Sequence, residues 1–317
     1  MFVASSASSS TSQTSSFERS GPLASPPATT YRKVTVDEST QIHYLEAGAK
    51  DKPTVLLLHG FPSSSTQYRD LAPLLAQDYH VIAPDLPGFG LTTVPSDFVY
   101  TFDNLANTIS AFLASLQITS YAVYVFDYGA PVGWRLALRT PSSVKAIISQ
   151  NGNAYVEGFG HPFWDPIEEL WNTSNAETSR QWLKDNALML HATKLQYTAG
   201  IPETDLMLIN PSQYILDFLQ NEAGPRNQDI QVDLFYDYST NVDIYPAVHE
   251  YFRKTQVPLH AIWGKRDSIF VPSGAEAFKR DLPNAVIKFV DAGHFALETR
   301  RLEIAAEIIH FLQAVKW

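Results

Sequence analysis

The feature of this sequence that most restricts its fold is a series of short, continuously apolar runs separated by longer amphipathic stretches. The runs occupy residues 55–58, 80–84, 121–126, 144–149, 259–263 and 286–290. Runs of this length are typical of strands that are covered on both faces, as in a parallel sheet. The stretches at residues 104–116, 131–139 and 302–315 have helical length. This alternation predicts an α/β fold with a mostly parallel sheet and right-handed crossovers.

The amino-terminal region differs from this pattern. Residues 1–30 are rich in Ser, Thr, Ala and Pro and contain no apolar run long enough for a signal peptide. We predict a disordered tail there, with an organelle-targeting peptide as the alternative. Residues 31–36 and 41–46 form two alternating runs joined by four polar residues, which predicts an antiparallel hairpin at the edge of the sheet.

The alternation of strands and helices stops between residues 152 and 245. This segment is rich in Trp and Tyr and contains helix-like stretches such as residues 177–191. We predict an inserted helical cap over the carboxyl ends of the strands, where α/β sheets bind their ligands. A structureless connection of this length is uncommon. The predicted domains are thus a tail (1–30), a core (31–151 and 246–317) and a cap (152–245).

Composition excludes several classes of function. The formal net charge of −10 would repel nucleic acid and anionic membranes. The chain has no Cys, which excludes disulfides, a thiolate nucleophile and Cys-ligated metals. No apolar stretch approaches the roughly 20 residues that cross a bilayer. We expect a cytoplasmic protein with a small-molecule partner; the sequence carries no signal for an oligomeric state.

The segment that bears most directly on chemistry is Val125-x-Asp127-x-Gly129, where an apolar strand runs into a helix. Such a strand–turn–helix lifts its central side chain above the edge of the sheet. Gly129 lets the helix approach the strand, and Pro131 suits the first helical turn. A central carboxylate can form an ester by displacing a leaving group from an sp3 carbon, which favours epoxides and alkyl halides over acyl substrates. The alternative is that Asp127 only caps the helix.

Two later strand ends supply an acid and a base. Asp267 lies just beyond the strand at 259–263, and His294 lies just beyond the strand at 286–290. The chain order of Asp127, Asp267 and His294 is that of a nucleophile, an acid and a base at successive strand ends. Neutral His294 could accept a proton from water, and Asp267 would fix its tautomer and stabilise the imidazolium.

A turn that follows an early strand of the chain completes the predicted site. His59-Gly60-Phe61-Pro62 follows an early strand, and it can aim the backbone N–H of Phe61 at the same point as that of Tyr128. Two converging donors would form an oxyanion hole. The turn Asp85-x-Pro87-Gly88-x-Gly90 is interpreted as structural packing beneath the site.

Further motifs tie these segments together, namely Trp263-Gly264-x-x-Asp267 and Gly293-His294-Phe295. With the turns and the strand–turn–helix described above, the chain from Tyr31 to Trp317 resembles the α/β-hydrolase superfamily. Within it, the chain is similar to the epoxide hydrolase and haloalkane dehalogenase branch, whose nucleophile is Asp. The resemblance implies an α/β-hydrolase fold with an eight-stranded sheet and an inserted cap.

The resemblance also bears on the leaving group. Epoxide hydrolases use two cap tyrosines to donate to the epoxide oxygen, whereas dehalogenases hold halide with Trp or Asn N–H groups, commonly a Trp directly after the nucleophile. Here Tyr128 follows Asp127, and Phe61 stands where dehalogenases often carry Asn or Glu. Both departures count against haloalkane dehalogenation. The candidate substrate contacts are Tyr236, Tyr238, Tyr197, Tyr155, Trp171 and Trp164.

We therefore predict a hydrolase that opens an epoxide to a diol through an ester on Asp127, acting on a small apolar or aromatic substrate. Three alternatives stay open: a dehalogenase with the same triad, a pathway enzyme that uses the triad for non-covalent acid–base chemistry, and a catalytically silent ligand-binding protein. We predict no metal site, because His294 of Asp291-x-x-His294 is better explained as a base. No cofactor is implied.

Overall fold

A computed structural model of the protein describes residues 28–315. Eight strands form one sheet: β1 (Thr29–Thr35), β2 (Gln41–Ala47), β3 (Thr54–Leu58), β4 (His80–Pro84), β5 (Tyr121–Val125), β6 (Val144–Ser149), β7 (Leu259–Gly264) and β8 (Val286–Val290). Their spatial order is β1-β2-β4-β3-β5-β6-β7-β8. β2 is antiparallel to β1 and β4, and the other neighbouring pairs are parallel. The predicted fold class and the eight-stranded, mostly parallel sheet are confirmed.

The central strands are apolar along their whole length because both faces of the sheet are covered. Every residue of β3, β4 and β5 is buried. Along β3, Val55 and Leu57 belong to the hydrophobic core on one face, while Leu56 and Leu58 belong to the core on the other. This period of two is that of side chains along a strand, and it explains why the sequence shows continuous apolar runs.

Helices supply both covering layers. The α-helices are α1 (Ala72–Leu75), α2 (Phe102–Ser115), α3 (Gly129–Arg139), α4 (Asp165–Asn172), α5 (Glu177–Asn186), α6 (Leu190–Thr198), α7 (Pro211–Asn221), α8 (Pro225–Asp237), α9 (Ser239–Thr255), α10 (Pro272–Ala277) and α11 (Ala296–Ala314). Short 3-10 helices occupy Ser65–Tyr68, Val156–Gly158, Glu203–Leu208 and Phe278–Arg280. The three helices predicted between strands correspond to α2, α3 and α11.

Six helices, α4 to α9, lie between β6 and β7, and residues 150–258 contribute no strand to the sheet. The single helix predicted at residues 177–191 is instead two helices, because α5 ends at Asn186 and α6 begins at Leu190. At this break the N–H of Leu188 bonds to the carbonyl of Leu183, and the side chain of Leu188 is fully buried. Burial of Leu188 therefore accompanies the turn between the two helices.

The predicted end of the cap, between residues 245 and 246, falls inside α9. Proline is unfavourable in a helix interior, so Pro246 makes a boundary attractive in the sequence. Pro246 is exposed, however, so water can bond to the carbonyl of Val242 that loses its helical partner. The side chain of Arg135 on α3 donates to Asn241 at 2.5 Å. This contact ties α9 to the helices that cover the sheet.

The predicted tail and the alternative targeting peptide lie in residues 1–27, outside the described residues, except for the last positions of the tail. Thr29 and Thr30 already belong to β1, where they pair with Ala47 and Glu46. The hydroxyl of Thr30 also donates to the carbonyl of Glu46 at 3.1 Å. Between residues 28 and 315, no helix is long and apolar enough to cross a membrane.

Candidate active site

Asp127 lies on the turn between β5 and α3. Its φ of +47° is in the left-handed region, which costs a residue other than glycine on the order of 1–3 kcal/mol. The turn is tight, since a Cβ on Gly129 would lie 2.1 Å from the carbonyl oxygen of Leu58. The N-cap position of α3 is Tyr128, without a side-chain cap. Asp127 is therefore not the N-cap residue of α3.

One oxygen of the Asp127 carboxylate accepts two backbone hydrogen bonds. Oδ1 receives the N–H of Phe61 at 2.7 Å and the N–H of Tyr128 at 2.6 Å. A Cβ on Gly60 would lie 2.3 Å from this oxygen, so only glycine permits the approach. The two N–H groups predicted to converge do so, on Asp127 itself. The other oxygen, Oδ2, lies 3.7 Å from Nε2 of His294.

Asp267 and His294 follow the carboxyl ends of β7 and β8 and meet beside Asp127. Nδ1 of His294 lies 2.8 Å from Oδ2 of Asp267. Because a carboxylate accepts, Nδ1 carries the proton, and Nε2 faces Asp127. Within the described chain, buried Nε2 has no hydrogen-bond partner. The three residues predicted as nucleophile, acid and base are thus brought together.

Asn151 also belongs to this group, although the sequence analysis assigned it no role. Its Nδ2 donates to Oδ2 of Asp267 at 2.5 Å, and its Oδ1 accepts the N–H of Gly264 at 3.1 Å. The N–H of Ile269 donates to the other oxygen of Asp267 at 2.7 Å. Asn151 has a φ of +52° just after β6, a conformation for which Asn is enriched. An Asn next to a glycine at a strand end was the signal that could have identified it.

Burial and neighbouring charges set the ionisation of the site. Burial raises the pKa of Asp127 to about 6, although the charge of His294 and the N–H groups of Tyr128 and Phe61 lower it in part. Burial lowers the pKa of His294, but the charge and hydrogen bond of Asp267, with the charge of Asp127, outweigh it, so this pKa lies above its usual value. Esterification of Asp127 would remove one of these charges and make His294 easier to keep neutral.

The loops under the site are held by buried polar side chains. Nε2 of His59 accepts the N–H of Leu86 at 2.9 Å, so its Nδ1 carries the proton and donates to the carbonyl of Gly60 at 3.1 Å. Burial lowers the pKa of His59 to about 4, which keeps the ring neutral. Asp85 accepts the N–H of Ser65 at 2.8 Å. These contacts position Gly60, against which the Asp127 carboxylate rests.

A cavity of about 260 Å³ reaches His294 and Phe61. Asp127 is 5% exposed and contacts both residues, but it is not among the residues that line the cavity. The inserted helices and the loop after β7 supply walls that are mostly apolar, including Phe163, Ile167, Leu183, Leu195, Phe235 and Ile269. Such a cavity fits a small apolar ligand.

The candidate contacts predicted in the cap do not line this cavity. The hydroxyl of Tyr155 donates to Asp281 at 2.9 Å, and that of Tyr197 donates to Asp217. The indole N–H of Trp164 donates to the carbonyl of Ile269, and that of Trp171 to the carbonyl of Phe235, each at 2.8 Å. The bonds of Tyr197 and Trp171 join inserted helices to one another, whereas those of Tyr155 and Trp164 attach the inserted segment to loops that follow β7.

The two remaining candidates, Tyr236 and Tyr238, also lie outside the cavity lining. Tyr238 is fully buried, with its ring centroid 4.7 Å from that of Trp164 and 6.4 Å from that of Trp171. Tyr236 is half-buried at the end of α8 and packs against the same core. The ring of Tyr238 also lies 5.5 Å from that of Phe102 and 5.8 Å from that of Tyr128, so it packs between the inserted helices and the residues around the sheet.

A polar residue that the sequence analysis missed does line the cavity. Gln196 on α6 lines the cavity and is 7% exposed, and its side-chain amide makes no hydrogen bond within the described part of the chain. The amide can therefore pair with a ligand or with water in the cavity. A lone Gln in a helical stretch gives no pattern from which this role could have been predicted.

The sequence predicts no metal site at the candidate active site. Residues 28–315 contain no group of three His, Asp or Glu side chains that could hold a metal ion. Asp291, which we considered as a ligand beside His294, instead pairs with Lys265 at 3.1 Å and Arg266 at 2.7 Å.

Comparisons with known proteins show the family and the fold of the chain. The model of the alpha/beta hydrolase fold family matches residues 53–300. An uncharacterized hydrolase of Saccharomyces cerevisiae is 43% identical over 88% of this chain and 96% of its own length. A haloalkane dehalogenase of Psychrobacter cryohalolentis is 36% identical over 36% of this chain and 39% of its own. The structure of haloalkane dehalogenase DbeA from Bradyrhizobium elkani superposes with a TM-score of 0.73 and 21% identity, covering 91% of this chain and 99% of that one.

Proposed function

Because this chain belongs to the α/β hydrolase fold family, we propose that it is a hydrolase that forms an alkyl ester on Asp127 and hydrolyses it, with an epoxide as substrate. The observation that carries this proposal is the arrangement of the two Asp127 oxygens. In a serine-type acyl hydrolase the N–H donors must receive the substrate's oxygen. Here Oδ1 of Asp127 occupies both donors, while Oδ2 faces His294.

The first step is attack by Oδ2 of Asp127 on an epoxide carbon. A lone pair on Oδ2 forms the new carbon–oxygen bond, and the carbon–oxygen bond of the ring breaks with its electron pair going to the ring oxygen. That oxygen then takes a proton from water. The Nε2–H₂ group of Gln196 would stabilise the developing negative charge by a hydrogen bond.

The second step hydrolyses the ester and regenerates the free enzyme. Nε2 of His294 takes a proton from water, which attacks Cγ of Asp127, and Asp267 stabilises the imidazolium. Negative charge develops on Oδ1, which already has the N–H groups of Phe61 and Tyr128 as donors. When the intermediate collapses, the product leaves with Oδ2 as its new hydroxyl oxygen, which takes the proton from the imidazolium of His294. The carboxyl group that remains on Asp127 gives its proton to the hydroxide formed in the first step. Asp127 keeps Oδ1 and gains the oxygen of the water.

The indole groups favour an epoxide over a halide as the leaving group. Halide would need N–H donors to hold it, but the indole N–H groups of Trp164 and Trp171 both donate to backbone carbonyls. An epoxide oxygen stays attached to the substrate as the strained ring opens, so one amide donor at Gln196 suits it better. The inserted helices act in this proposal as the cap that encloses the substrate.

Single turnover in H₂¹⁸O tests the covalent scheme. With enzyme in excess over a small aromatic epoxide, we expect unlabelled diol and one ¹⁸O in the peptide that contains Asp127, measured by mass spectrometry. Under many turnovers the diol should carry the label. Direct incorporation of ¹⁸O into the first-turnover diol would contradict the ester and favour non-covalent acid–base chemistry. Halide release from organohalides, without any diol from epoxides, would support a dehalogenase.

Replacing Gln196 with Leu tests the proposed donor. Gln196→Leu keeps the side-chain size but removes the amide, and we expect kcat/KM for the epoxide to fall about 10- to 100-fold, the usual value of a hydrogen bond to a charged group. The matched control is Asn186→Leu, because Asn186 lines the same cavity but is exposed and donates to the carbonyl of Trp182. Equal losses in both variants would indicate general damage to the cavity and would remove Gln196 from the mechanism.

A further inference from the structure

The inserted helices expose an unusual number of apolar side chains. Of the sixteen large apolar side chains that are exposed in the described part of the chain, ten lie in residues 182–219. Eight of the ten lie on three consecutive elements, α6, the 3-10 helix Glu203–Leu208 and α7, while Met189 directly precedes α6 and Trp182 lies on α5. We call this surface the apolar face; its central members are Leu190, Leu195, Leu206, Met207, Leu216 and Leu219. Concentrated exposure of this kind marks a surface that contacts a partner.

On α7 the apolar face carries no charge. The exposed large side chains of this helix are Ile215, Leu216 and Leu219. Its one acidic side chain, Asp217, is fully buried and accepts hydrogen bonds from Tyr197 and, at 2.9 Å, from Gln213. A helix that faces water normally presents charged or polar residues on its outer side. The outer side of α7 is thus suited to an uncharged, apolar partner.

The apolar face continues into the cavity of the candidate active site. Trp182 and Leu195 line that cavity and are 50% and 61% exposed. A second copy of the chain covering Leu195 would obstruct the entrance that a substrate needs. A lipid phase would not, because an apolar substrate dissolves in lipid and can pass from it to the cavity. The entrance therefore favours lipid over a second copy.

We propose that the apolar face docks on the surface of a zwitterionic lipid membrane, so that apolar substrate enters the cavity directly from the lipid. That an apolar partner covers this surface rests on the apolar face alone, whereas the choice of lipid over a second copy and the delivery of substrate rest on the proposed function. Amphipathic surfaces of this kind lie in the membrane interface with their apolar side chains inserted. The described part of the chain holds no membrane-spanning helix, so the contact is peripheral.

Charge decides which lipids are favoured. The formal net charge of the chain is −10, which repels an anionic bilayer surface. Around the apolar face, the exposed ionisable side chains of α6 and the following 3-10 helix include His191, Lys194 and Glu203, which do not form a basic patch. We therefore expect tighter binding to phosphatidylcholine vesicles than to vesicles that contain phosphatidylglycerol.

Vesicle flotation of the full chain tests the proposal without turnover. We expect the protein to float with phosphatidylcholine vesicles, and Leu216→Ser/Leu219→Ser to reduce the bound fraction about tenfold or more, since each buried Leu contributes strongly to transfer from water. The control is Tyr31→Ser/Val286→Ser, which removes two exposed apolar side chains from the edge strands β1 and β8. It should float like the unmodified chain. Turnover of a water-soluble epoxide should be unchanged in the Leu variant.

Three outcomes would overturn the docking proposal. The unmodified chain could stay in the unbound fraction at every lipid composition. It could float equally well with and without Leu216 and Leu219. It could also form a dimer, measured by light scattering, that Leu216→Ser/Leu219→Ser dissociates, which would assign the apolar face to a second copy. Because flotation needs no chemistry, a failure of the epoxide proposal in H₂¹⁸O would leave this result intact.

Discussion

His294→Ala should accumulate a covalent adduct when it is incubated with a substrate epoxide. Ester formation needs only Oδ2 of Asp127, whereas hydrolysis needs the proton acceptor at Nε2, and a general base contributes roughly 10²- to 10⁴-fold. Intact mass should therefore rise by the whole mass of the epoxide, at one per chain. Peptide mapping should locate the addition to the segment that contains Asp127.

The same measurement separates the rival leaving groups. An organohalide substrate would add its mass less the hydrogen halide, because the halide departs completely. His191→Ala is the matched control, since His191 is an exposed histidine on α6 outside the cavity lining, and it should accumulate no adduct. An adduct that persists in the double variant Asp127→Asn/His294→Ala would place the nucleophile elsewhere. Substrate turnover without any adduct in His294→Ala would contradict the two-step scheme.

Asp127→Asn should abolish turnover and at the same time stabilise the fold. Removing a residue that acts as nucleophile in a cooperating group lowers kcat by roughly 10⁴-fold or more. The Asn side chain keeps the oxygen that accepts from Phe61 and Tyr128 but loses the nucleophilic charge. Asp78→Asn, at an exposed position, is the matched control and should change neither property. Intact mass must show that the Asn has not reverted to Asp by deamidation.

The stabilisation should depend on pH. Burial raises the pKa of Asp127 from its ordinary value of 3.8 to about 6, so folding favours the protonated carboxyl. Ionised Asp127 therefore destabilises the fold above about pH 6, and this cost fades as the pH falls from about 6 to 4. We expect Asp127→Asn to raise Tm at pH 8 and to have little effect near pH 4, measured by thermal unfolding. A Tm gain that is constant across this range would contradict the raised pKa.

The raised pKa also predicts the pH dependence of ester formation. Oδ2 must be ionised to attack, so the rate of adduct formation in His294→Ala should fall as the pH drops through the pKa of Asp127. Removing His294 also removes a charge that lowers this pKa, so the fall in the variant should begin at a higher pH than in the unmodified enzyme. The rate of adduct formation is measured by intact mass in reactions quenched at set times between pH 5 and pH 8.

Local sequence was sufficient where one strand or one turn decides the structure. The runs at β3 to β8 were predicted within one or two residues. The inner strands are covered on both faces and are therefore largely apolar, whereas the edge strand β8 is only partly buried. The position of Asp127 was predictable because Gly129 and the preceding strand define a tight turn. His294 and Asp267 were predictable because the carboxyl ends of parallel strands meet at one edge of the sheet.

Tertiary packing decided the side-chain contacts and helix boundaries of the inserted segment. The hydroxyls of Tyr197 and Tyr155 donate to Asp217 and Asp281, respectively. The indole N–H groups of Trp164 and Trp171 donate to backbone carbonyls. A buried donor takes whichever acceptor the packed helices bring near it, and one sequence does not reveal that partner. The break between α5 and α6 and the continuation of α9 through Pro246 also depended on burial and exposure.

The sequence by itself determined the sheet, the order of Asp127, Asp267 and His294 along it, and the donors at Phe61 and Tyr128, because each follows from apolar periodicity or from a single tight turn. Only the tertiary structure decided which side chains line the cavity and which apolar side chains of the inserted helices stay exposed. Helices that pack on one another can rotate and shift without changing their own apolar pattern, so their contacts are determined by the whole fold.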